Sequence, residues 1–261
     1  MPEMDDFGDV GAIQQTGDGA VYWDTLLSDL LTELENINVQ TARIESATIL
    51  SDMPLRYRSG TPLYLTQFEH GAGPWVGSSV GADGGSEVST DIWLSKGKSW
   101  ILTAGSDSTR YARMDLRLGP YPNGEYSLEA AFTLGDNVIR LRFVVIWIDG
   151  SVGIIPTVWL DLEDAKVYID DENLGYVSVI DPWNPDTDND AWHFIKFTFD
   201  TESLLYTTLF LDEHEVDLSA YEIETASGYS DQAIRVYIQV DSTSGENATC
   251  YIDDIALVEE E

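Results

Sequence analysis

The sequence predicts a mainly β protein in which two antiparallel sheets share one core, and three observations point to it. From residue 62 to 258 the chain runs in short period-two segments bounded by Gly, Asn, Asp and Pro. Hydrophobic residues make up 43% and aromatics 11% of the 261 residues, enough to fill a core that a disordered acidic chain would lack. The chain closes on Tyr251-Ile252-Asp253-Asp254-Ile255-Ala256-Leu257-Val258, a last strand for that core.

Residues 1 to 20 are rich in Gly and Asp and read as an arm. From Trp23 the apolar positions Trp23, Leu27, Leu30, Leu34, Ile37 and Ile44 fall on alternating four- and three-residue steps, with Thr41 in the one polar gap. That spacing predicts an amphipathic helix from about Asp24 to Asn36, after which β-branched residues favour extended chain. The helix either bundles with copies of itself through Trp23, Leu27, Leu30, Leu34 and Ile37, the reading the heptad favours, or packs on its own domain. Two prolines and Ser59-Gly60 between Met53 and Pro62 mark a linker. The division is therefore 1 to 61 for attachment or oligomerisation and 62 to 261 for the sandwich.

Strands are expected near residues 63–69, 87–94, 98–104, 110–118, 125–134, 138–148, 154–161, 165–170, 174–180, 191–200, 204–212, 233–241 and 248–258. Pro122-Asn123-Gly124 and Leu134-Gly135-Asp136-Asn137 are read as turns between antiparallel neighbours. The continuous apolar run Val144-Val145-Ile146-Trp147 marks a central strand, and bulky residues on both faces of Trp192 to Phe199 mark one covered on both sides or at its edge.

Forty-seven acidic residues against 13 basic ones give a net charge of −34. Such a chain repels nucleic-acid phosphates and anionic bilayers, which argues against both as partners. Molar salt shrinks the Debye length to about 3 Å and screens the self-repulsion, so a halophilic source is one reading; an acidic protein with bound cations at ordinary salt is the other. The single cysteine, Cys250, reads as a small buried hydrophobe. No export segment and no run of roughly 18 apolar residues appears, so membrane insertion is not expected.

Alternating carboxylates in Asp186-Thr187-Asp188-Asn189-Asp190 have the spacing of a calcium loop, although Ala191 and Phe197 break the EF-hand pattern and favour a solvated acidic hairpin loop over a cation site. Eight tryptophans and thirteen tyrosines keep sugar stacking open. Trp183, in the loop Asp181-Pro182-Trp183-Asn184-Pro185, is the candidate for ligand contact, against the alternative of a loop plug. Trp147, Trp159 and Trp192 lie in strands and read as core. No nucleophile elbow, Walker loop or zinc spacing among His70, His193 and His214 is present, so no catalytic residue is expected.

Phe68-Glu69-His70-Gly71 with Trp75, Trp192-His193-Phe194-Ile195-Lys196-Phe197 with Leu209-Phe210-Leu211-Asp212, and Tyr251-Ile252-Asp253-Asp254-Ile255 together resemble concanavalin A-like lectins, laminin-G-like domains and carbohydrate-binding modules, including copies on tailed-virus appendages. The resemblance covers about residues 62 to 261 and implies a jelly-roll sandwich. It also implies a structural calcium ion held by Glu69 and Asp253, where ordinary strand-end acids are the alternative. Glucanases on this fold carry a Glu-x-Asp-x-x-Glu strand. The nearest segment, Glu215-Val216-Asp217-Leu218-Ser219-Ala220, lacks the second glutamate, and Glu213 with Glu215 is a pair this acidity supplies by chance. The expectation is a non-enzymatic homo-oligomer, assembled in the host cytoplasm with other virion proteins and shown on the particle surface as a turret, decoration or tail-fibre module. The alternative is a soluble or cell-surface carbohydrate-binding module, extracellular and bound to a cell-surface glycan.

Overall fold

A computed structural model describes residues 60–260, apart from 82, 96, 107–110, 188–190 and 243–245. The expected arm and helix, with Trp23, Leu27, Leu30, Leu34 and Ile37, lie outside the described residues, as do Asp188 and Asp190.

Among the described residues there are seventeen strands and no helix. In chain order they are β1 (Thr61–Thr66), β2 (Val76–Val80), β3 (Gly85–Ser89), β4 (Ser99–Ala104), β5 (Tyr111–Leu118), β6 (Glu125–Thr133), β7 (Val138–Asp149), β8 (Val152–Ile154) and β9 (Thr157–Asp161). There follow β10 (Lys166–Asp171), β11 (Gly175–Ile180), β12 (Trp192–Asp200), β13 (Leu205–Leu211), β14 (His214–Asp217), β15 (Thr225–Ser227), β16 (Ala233–Ser242) and β17 (Ala248–Glu259). They form an eight-stranded sheet in the order β14-β13-β12-β6-β17-β4-β3, with β1 also on β17, and a nine-stranded sheet in the order β11-β10-β9-β7-β16-β5-β2, extended by β8 and β15. All pairings are antiparallel.

The two turns expected between paired neighbours do something else. Pro122-Asn123-Gly124 joins β5 to β6 and Leu134 to Asn137 joins β6 to β7, and in each case the flanking strands belong to different sheets. Turn residues state that the chain reverses, but period-two alternation is the same whichever sheet it enters next. The expected strand 154–161 is two strands, broken at Ile155-Pro156, because proline has no N–H for a ladder. β2 has no apolar alternation and is exposed throughout. Its Gly77 passes so close to β3 that a Cβ there would stand 2.0 Å from the Ser86 carbonyl oxygen, which brings the two sheet edges together.

The sandwich interior holds Tyr126 and Trp147, 4.2 Å apart between ring centroids, Phe132 and Phe143 at 5.5 Å, and Phe197, Phe199 and the buried Cys250. β7 pairs on both edges, with β9 and β16, as its continuous apolar run requires. β12 is central too, and its outward Lys196 and Thr198 are buried. β17 pairs β6 along one edge, and on the other its first half pairs β4 and its second half β1. Between the halves lies a bulge between Asp253 and Ala256, where Asp254 takes φ 47°.

Candidate functional site

Because successive strand residues point to opposite faces, the inward set Leu141, Phe143, Val158, Leu160, Val167, Ile169, Ile238 and Val240 sends its neighbours outward. The pairing registers then align Ser178, Tyr168, Trp159, Arg142, Gln239 and Arg113 in one row across β11, β10, β9, β7, β16 and β5. Among the described residues, every arginine stands on this face: Arg113, Arg117, Arg140, Arg142 and Arg235.

At one end of the row is an open cavity of about 420 Å³ lined by Arg140, Arg142, Trp159, Asp161, Asp164, Tyr168 and Tyr176. The Trp159 and Tyr176 rings lie 4.3 Å apart at 53°, and Tyr176 is 60% exposed. The Arg142 guanidinium sits 4.1 Å from the Trp159 ring centroid and pairs with Asp241 at 3.0 Å. Arg140 pairs with Asp161 at 2.8 Å, and that hydrogen bond raises the guanidinium further above its usual value. Asp161 also accepts the backbone N–H groups of Glu163 and Asp164, while Asp164 accepts the Tyr168 hydroxyl. Two buried donors, Trp159 Nε1 and Arg142 Nε, have no acceptor, a cost of about 1–3 kcal/mol each. Aromatic faces beside fixed donors and acceptors suit a ligand with apolar ring faces and many hydroxyls.

Trp183 is not part of this site. It is 2% exposed, its N–H donates to the Ala165 carbonyl at 2.7 Å, and its ring stands edge-on to His193 at 6.1 Å. The loop plugs the sandwich instead of offering a ring face, because His193 Nε2 holds the Asp186 carbonyl at 2.8 Å and turns the loop inward. Trp159, read as core, is the tryptophan at the cavity. The signal was available: Val158 and Leu160 cannot face inward unless Trp159 faces out. Glu213 and Glu215 belong to the β13–β14 hairpin end of the other sheet and do not line the cavity.

Glu69 and Asp253, which the resemblance assigns to a calcium ion, each have local partners, and of the acidic-loop candidates only Asp186 is among the described residues. Asp253 Oδ2 accepts the N–H groups of Leu94 (3.1 Å) and Ser95 (3.0 Å), and Oδ1 accepts that of Asp254 at 2.8 Å. Burial, then the charge of Asp254, pushes its carboxyl up to about 8 against the pull of these amides. The Glu69 carbonyl accepts Lys98 Nζ at 3.0 Å, and its carboxylate meets His70 Nε2 at 3.1 Å. Among the described residues no group of three or more His, Cys, Asp or Glu side chains is placed to hold a metal ion. With the Asp253 oxygens taken by N–H groups and the Glu69 carbonyl by an ammonium, these two residues as placed do not supply the six to eight oxygens calcium needs.

No protein-family model and no curated protein matches this sequence. Solved structures do. A carbohydrate esterase from the Shiga toxin-encoding bacteriophage phi24B aligns at TM-score 0.53 and 16% identity, over 77% of this chain and 100% of that one. An endo-β-1,4-glucuronan lyase from the fungus Trichoderma reesei aligns at TM-score 0.50 and 12% identity, over 76% of this chain and 96% of that one. At these identities the likeness is one of fold. In fold, as a sandwich of two antiparallel sheets, this chain is similar to them.

Proposed function

We propose that this protein binds a carbohydrate on the outer face of its nine-stranded sheet without cleaving it. The observation that carries the reading is the Trp159-Tyr176 platform, with Arg142 stacked on it, in the 420 Å³ cavity. Binding is favoured over cleavage because Asp161 and Asp164, the carboxylates at the cavity, are both committed to local hydrogen bonds. A glycan array followed by calorimetry in molar potassium chloride tests it. The wild type is expected to retain at least one glycan and Trp159→Ala to lose it. If the wild type retains none, or if the variant binds as well, the reading fails.

The finer reading places this unit on a virus particle, as a turret, decoration or fibre module fastened by residues 1 to 61, in a salt-rich setting. Its supports are the charge of −34 and the heptad spacing from Trp23 to Ile44. A soluble or cell-surface binding module is the alternative. Light scattering of the full chain in molar salt separates them: an oligomer is expected for the stem, and a strict monomer at all concentrations counts against it.

A further inference from the structure

The outer face of the nine-stranded sheet repeats one construction. In the cavity, Arg142 lies over Trp159 and pairs with Asp241. Farther along, Arg113 lies 4.8 Å over the Tyr237 ring and pairs with Asp115 at 2.7 Å. The two arginines are in the same cross-strand row with Gln239 between them, so their backbones are two strand spacings apart, about 10 Å. Gln239 joins the units chemically as well, since its Nε2 donates to Asp241 Oδ1 at 2.8 Å. Arg113 and Asp115 are each about one-third exposed, at 36% and 35%, so the polar half of the second unit is open to a ligand.

Charge narrows the class of ligand. Arg113, Arg140 and Arg142 each have their own aspartate, and Arg117 and Arg235 share Asp231. The face offers matched donors and acceptors with little net positive field, on a molecule whose overall field is strongly negative. An anionic glycan would meet repulsion with nothing to offset it, whereas hydroxyls can accept from a guanidinium and donate to its aspartate at one place.

We propose that Tyr237, Arg113 and Asp115 form a second sugar subsite, and that the ligand is a linear, uncharged glycan crossing the strands and occupying both units. This rests on the glycan reading above. Tethering makes the second contact intramolecular, so affinity should climb with chain length until both subsites are filled and then level off.

The test is calorimetry in molar potassium chloride with neutral cello-, xylo- and laminari-oligosaccharides and acidic galacturonate oligomers, each of two to six units. For the neutral series that binds, the six-unit oligomer is expected to bind about tenfold or more tighter than the disaccharide. Tyr237→Ala and Arg113→Gln should each bring that ratio close to one, and Tyr237→Phe, which keeps the ring, should restore it. Circular dichroism and thermal midpoint confirm that each variant is folded. A flat wild-type length profile, a ratio untouched in both folded variants, or tighter binding of galacturonate at equal length overturns this inference while leaving the Trp159 site standing. Absence of any glycan binding by the wild type defeats both.

Discussion

The Tyr206 hydroxyl, on β13 of the eight-stranded sheet, accepts the backbone N–H of Thr157, on β9 of the nine-stranded sheet, at 2.9 Å. It also meets the carbonyl of Asp170 on β10 at 3.0 Å. One fully buried side chain thus ties together the two strands that carry Trp159 and Tyr168 from behind the cavity. Tyr206→Phe leaves a buried N–H and a buried carbonyl unpaired and should cost about 1–3 kcal/mol. Urea unfolding should show a lower midpoint at unchanged slope; a midpoint equal to that of the wild type refutes the tie.

His193 is held in its charged form. Its Nδ1 faces the Asp212 carboxylate and its Nε2 the Asp186 carbonyl, both at 2.8 Å, and since both partners only accept, both ring nitrogens must donate. Burial pulls its pKa down, but the Asp212 hydrogen bond, the Asp186 carbonyl and the charges of both aspartates outweigh that, and the value lies above the usual 6.5. The stability this supplies is full below about 6.5 and is lost as pH rises through the folded pKa. The difference in thermal midpoint between wild type and His193→Gln should therefore shrink on the alkaline side. A constant difference from pH 6 to 9 would mean that the ring is neutral throughout.

Lys196 Nζ lies 3.2 Å from Glu129 Oε1 and 2.6 Å from Glu260 Oε1, with Ser127 Oγ donating to Glu260 as well. Burial outweighs the charge and hydrogen bond of Lys196 and, with the charge of Glu260, pushes Glu129 up to about 7 from 4.5. A raised carboxyl stabilises the fold fully below 4.5 and loses that contribution as pH rises to about 7. Glu129→Gln should flatten the fall in stability across this window, which pH-dependent denaturant unfolding reads directly. Lys196→Met strands two carboxylates and should cost about 3–5 kcal/mol at neutral pH, with part of the loss recovered in the Glu129→Gln background.

Asp253 and Glu69 make a prediction about calcium. Both Asp253 carboxylate oxygens are already engaged by amides, and the Glu69 backbone carbonyl by Lys98. Neither a chelator nor millimolar calcium should move the thermal midpoint at fixed ionic strength, and a saturable rise with calcium would show that the Leu94-Ser95 segment rearranges around an ion.

The strand pattern and its core-facing residues are legible in the amino-acid order alone. The apolar run Val144 to Trp147 is the middle of a sheet, Ile195 to Phe199 is buried on both faces, and Cys250 is a core residue, all because alternation and burial are local properties of strand geometry. Alternation also required Trp159 to oppose Val158 and Leu160, so half of the site was written in β9. Tertiary structure decided the rest. Pro122-Asn123-Gly124 sends the chain into the other sheet, and of the two readings of the proline-rich loop the contact with His193 selects the plug that buries Trp183. The row Arg142, Gln239, Arg113 exists because β16 lies between β7 and β5 in one register. Those residues are far apart in the chain, and only the packing of a shared core fixes which strands become neighbours and which side chains share a surface.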